Sequence, residues 1–94
     1  MNVKYIVSKE YLTKKDDVYE SKALSDEVSK HETLETAIRA VRNQTTSILS
    51  FRELNKQEND DLCVLSVCEH TFDGDLLTDI KDCDVYGVLK WNTM

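Results

Sequence analysis

Asp73-Gly74, set between two strand-like runs, is the feature that most constrains this chain. Both residues tolerate positive φ, which a two-residue type I′ turn requires at its central positions, so the pair predicts a β-hairpin. Residues 62–68 (LCVLSVC) lead into it and are apolar on both faces, the mark of a central, well-covered strand. Residues 76–80 return along it. Counting outward from a two-residue turn sets Phe72 opposite Asp75, His70 opposite Leu77 and Cys68 opposite Asp79.

Hydrophobic spacing predicts the other elements. Val3, Tyr5, Val7 and Tyr11 alternate with Lys4, Ser8 and Glu10, which reads as a half-buried strand. Lys14-Lys15-Asp16-Asp17 is a polar turn of undetermined type, followed by a weaker strand over 18–24. Thr33 is placed to cap a helix, with Glu35 near the positive end of its dipole. Leu34, Ala37, Ile38, Val41, Thr45 and Ile48 then form one apolar stripe, and Arg39 and Arg42 fall outside it. Beyond Asn43 the stretch 45–51 is rich in Thr and Ser, poor helix formers with better strand propensity. The reading favours helix continuing to Leu54, with a short strand as the alternative. A polar loop over 55–61 and a last strand over 85–91, with Val85, Leu89 and Trp91 on one face, complete the chain. The expected fold is a single α+β domain over 1–94. It has ββ-α-βββ order, with one main helix packed on an antiparallel sheet of four to five strands.

Charge is unevenly spread. Residues 58–84 hold nine carboxylates and one base, Lys81, a formal −8 in a chain whose net charge is −6. Direct nucleic-acid binding needs Lys and Arg to neutralise phosphates, so this balance argues against it. No apolar run has the length of a membrane span, and the first residues carry no signal-peptide core, so a cytoplasmic location is expected. Three cysteines do not make a disulfide framework and suit a reducing compartment. The sequon Asn43-Gln44-Thr45 is then without consequence.

Three constellations could carry chemistry. Cys68, His70 and Asp79 share a face in the predicted hairpin and resemble a nucleophile, a base and an orienting acid. However, no glycine-rich loop or helix N-terminus lies beside Cys68 to supply oxyanion donors. A zinc site from Cys63, Cys68, His70 and Cys83 would need its first pair, Cys-x4-Cys within one strand, to reach one ion from opposite faces. An EF-hand register with Gly74 at the sixth position puts Glu69 first and Asp73 fifth, but Thr71 third and Ile80 twelfth, where a bidentate Glu belongs. No cofactor, no metal and no catalytic residue are therefore assigned.

The acidic stretch remains. Glu69, Asp73, Asp75, Asp79, Asp82 and Asp84 are the candidate partner-binding residues. Alternate strand residues such as Asp73 and Asp75, or Asp82 and Asp84, would lie about 7 Å apart on one face, a pitch at which carboxylates can stand in for phosphates. The register puts Asp75 and Asp79 on one face and Glu69 on the other, which makes an acidic rim around the turn. Phe72, Tyr86 and Trp91 are candidate interface aromatics, with Trp91 better placed as core. The expected function is a small, acidic, non-enzymatic binding protein that inhibits by occupying a basic surface of a nucleic-acid-binding partner. The most concrete version of this expectation is a phage-type anti-defence inhibitor, such as an anti-CRISPR-like protein. The alternatives are a thiol- or metal-dependent enzyme centred on Cys68 and His70, and a module that self-associates as a homodimer through sheet edges.

Overall fold

The computed structural model describes residues 2–21 and 26–89. The chain runs β1 (Asn2–Lys15), β2 (Val18–Ser21), β3 (Asp26–His31), α1 (Leu34–Gln44), β4 (Ile48–Leu49), α2 (Phe51–Leu54), β5 (Asp61–Asp73) and β6 (Leu76–Val88). Among the described residues, six strands join one sheet in the order β2-β1-β5-β6-β4, with β3 also on the outer edge of β1, and every pairing is antiparallel. The fold is α+β, and the sheet dominates it. No helix among the described residues is long and apolar enough to cross a membrane.

β1 and β5 pair without interruption from Asn2 opposite Phe72 to Thr13 opposite Asp61. Because opposed residues share a face, this register defines both surfaces of the sheet. One face carries Val7, Leu65 and Val67, which pack with Val85 against Ala37 and Val41 of α1. The other carries Leu12, Leu62 and Val64, which pack with Tyr19 and Tyr86 against Leu54 of α2. The helices thus cover opposite faces of the same end of the sheet, and β5 is buried from Leu62 to Val67 because both faces are covered there.

Local chemistry explains the helix ends. The Thr33 side chain accepts the Thr36 N–H, as the sequence predicts, while Ala37 and Val41 supply the buried stripe. The helix stops at Gln44, and Thr45 is extended with its hydroxyl donating to the Val41 carbonyl at 2.8 Å. Ser50 and Glu53 form a capping box on α2, and the Phe51 N–H donates to Asp84 at 2.7 Å. Gly87 lets α1 approach β6 closely, since a Cβ there would stand 2.5 Å from Val41 Cγ1 and 2.7 Å from Thr45.

Several expectations need correction. Among the described residues the sheet has six strands rather than four or five, and the order is not ββ-α-βββ. β3, with sequence DEVSKH, was not expected, because its apolar content is the lone exposed Val28 and its place is set by backbone pairing to β1. Residues 45–54 are not a continued helix but the two-residue β4 followed by the four-residue α2. The return strand and the last strand are one element, β6. The Asp16-Asp17 turn has positive φ at both residues, 53° and 66°, the pattern of a type I′ turn made without glycine. The end of the predicted 18–24 strand and Trp91 lie outside the described residues.

The hairpin turn is also displaced by one residue. Asp73 pairs with Leu76, so the turn residues are Gly74 and Asp75. Gly74 has φ 63° while Asp75 does not take positive φ, which suits Gly at the first position of a type II′ turn. Thr78 is bulged out of register, and three residues of β6 (83–85) face Val67 alone.

Candidate functional site on the projecting hairpin

β5 and β6 extend beyond the helix-covered end, and there β6 is exposed at every residue from Leu76 to Asp82. This projecting half carries most of the candidate carboxylates, but the register sorts them differently from the sequence-based expectation. Thr71 faces Asp79 and Glu69 faces Lys81, so Glu69 and Asp79 share a face instead of opposing one another. Asp73 ends β5 and Asp75 lies in the turn itself, so the two do not form a row along a strand. Asp82 and Asp84 are separated by the bulge at which Asp84 takes φ 58°.

Hydrogen bonding divides the six acids in two. Glu69 is half-buried and accepts the Tyr5 hydroxyl at 3.1 Å. Asp82 accepts the Asp84 N–H at 2.8 Å and the Tyr86 hydroxyl, and Asp84 accepts the Phe51 N–H. These three carboxylates satisfy groups of the fold itself. Asp73, Asp75 and Asp79 are exposed and, among the described residues, their carboxylates make no hydrogen bond or ion pair. Asp75 borders a shallow pocket of about 250 Å³ with Asn2, Lys4, Lys30, Phe72 and Gly74.

Sequence reasoning missed the apolar part of this surface. Leu76, Leu77 and Ile80 are 68%, 42% and 56% exposed. Leu77 lies opposite Phe72 and Ile80 opposite His70, which puts both on the face that α2 leaves open at this end. The signal was present in the return strand, where three large apolar residues flank the charged ones. In sequence the run signals a strand, and only the register shows it to be a surface. Tyr86, an interface candidate, is instead core at 7% exposure, and Phe72 packs beside His70 at 6.3 Å between ring centres.

The same register separates the three residues weighed as a triad. Cys68 is opposite Asp82, while Asp79 lies on the other face from Cys68 and His70. Burial pushes the Cys68 thiol up to about 11, and the nearby Asp82, Glu10 and Cys83 add to the effect. A nucleophilic cysteine needs the opposite shift. Cys63 and Cys68 occupy opposite faces of β5, and among the described residues no three His, Cys, Asp or Glu side chains converge on one point. No protein family, curated protein or solved structure matches this chain.

Proposed function

We propose that this chain is a small non-enzymatic binding protein that presents the tip of the β5–β6 hairpin to a basic surface of a partner protein. The observation that carries the reading is the pairing of free charge with free apolar area. Asp73 and Asp75 are exposed without internal partners, and Leu76 and Leu77 stand exposed beside them. Rim carboxylates raise the rate of encounter with a basic patch, and large apolar side chains supply the burial that slows release. A basic patch of this kind is how nucleic-acid-binding proteins hold phosphate, so occupying it inhibits by competition. An anti-defence inhibitor of the phage type is the most specific form of this proposal.

The test is a pull-down from host lysate with the wild-type chain and with Asp73→Asn/Asp75→Asn. Wild type should retain basic proteins that elute as salt rises, because exposed charge pairs are screened beyond about 10 Å at 0.1 M. The double variant should retain markedly less. Recovery of acidic proteins, or retention indifferent to both salt and the substitutions, would sink the reading.

A further inference from the structure

Residues 76–85 of β6 have β5 on one edge and, among the described residues, no strand on the other, because β4 reaches only Tyr86 and Gly87. An open edge offers a row of backbone donors and acceptors to another strand. Charged, bulged edges usually refuse that offer, yet this one also exposes Leu77 and Ile80. We propose that the β6 edge pairs with itself, antiparallel, in a two-fold dimer centred on Ile80.

Charge selects the register. A two-fold axis normal to the sheet keeps each face on its own side, and directly opposed residues share a face. The pairing must therefore centre on a residue. Centring on Asp79 opposes two carboxylates, and centring on Lys81 opposes two ammonium groups; like charges directly opposite are destabilising. Centring on Ile80 sets Asp79 of each copy opposite Lys81 of the other, twice by symmetry. Ile80 then meets Ile80 on the opposite face, the one that also carries Leu77 and Phe72. Lys81, the single base within residues 58–84, thereby gains a complementary role two residues from its counterpart. The bulges at Thr78 and at 83–85 confine the ladder to residues 78–82, so the contact is small and its specificity comes from charge. Asp73 and Asp75 stay free, and a monomeric chain would leave the proposed hairpin-tip reading untouched.

Light scattering coupled to size exclusion, run from micromolar to sub-millimolar protein, tests the pairing. Wild type should approach twice the chain mass of 10.9 kDa. Asp79→Lys and Lys81→Asp should each run as monomers, and Asp79→Lys/Lys81→Asp should regain the dimer. Asp79→Lys is the cleaner single change, since Thr71 lies opposite it within the chain whereas Glu69 lies opposite Lys81. Ile80→Lys, exposed in the monomer, should also abolish the dimer while far-UV circular dichroism stays native. A monomeric wild type throughout, a dimer indifferent to the single reversals, or a double reversal that stays monomeric would each overturn the proposal.

Discussion

β5 and β6 run side by side along two very different halves of the molecule. In the inner half, residues 62–67 and 85–87 are buried between α1 on one face and α2 on the other. In the outer half the same two strands continue their ladder, and β6 is exposed at every residue from Leu76 to Asp82. Backbone pairing is thus common to both halves, and side-chain burial belongs to one. Stability should concentrate where apolar area leaves water, at about 1.5–3 kcal/mol for each fully buried large side chain. The outer half is then free to carry charge and exposed apolar groups that a core would reject.

The largest expected effect tests that division directly. Leu65→Ala, at a residue 1% exposed in the α1-facing core, should cost about 2–5 kcal/mol in urea unfolding. Leu77→Ala, in the outer half, should stay within about 0.5 kcal/mol of wild type. Equal losses would mean that the projecting hairpin is part of the core after all.

The two glycines sharpen the comparison by failing for different reasons. Gly87→Ala forces a Cβ against Val41 and Thr45 in the inner half, an overpacking that should cost about 1–3 kcal/mol. Gly74→Ala meets nothing within 4 Å, so its cost is the φ of 63° alone, about 1–2 kcal/mol. Thermal melts of the two variants give the order, and a Gly74 variant worse than the Gly87 variant would contradict the packing account.

The inner half was also the legible half. Ala37 and Val41, the Thr33 cap and the two-sided apolar run of β5 are local patterns whose periods match their elements. The hairpin was legible as a hairpin because only Gly, Asn or Asp sits easily at positive φ. Its register was not. The one-residue shift of the turn changed only Asp79's partner, and the extra residue at Thr78 moved it to the other face; nothing in the residues around Thr78 announces a bulge. The candidate acids were legible only as charge. That Asp84 holds the Phe51 N–H and Asp82 the Tyr86 hydroxyl depends on α2 packing beside the β6 bulge, a contact 33 residues long in the first case. β3 is the extreme case, a strand without an apolar stripe that pairing with β1 creates.

Cys68 marks the boundary between the halves and yields the smallest effect. It follows the last buried residue of the inner half, Val67, and burial there raises its thiol to about 11, against about 8.5 for an unfolded cysteine. A thiol whose folded pKa exceeds its unfolded value holds its proton more tightly in the native state. Its contribution is therefore whole below the unfolded value and is lost as pH rises from there towards about 11. Cys63 and Cys83 are shifted the same way, again by burial first, so the wild-type slope contains all three. Urea midpoints at pH 8 and pH 10 for wild type and Cys68→Ala isolate the one at the boundary. Wild type should lose slightly more stability over that interval than the variant does. The loss should be modest because Cys68 is only half-buried and solvent screens the remainder. Identical losses would move the boundary inward, placing Cys68 with the exposed hairpin and leaving Val67 as the outermost residue that the core desolvates.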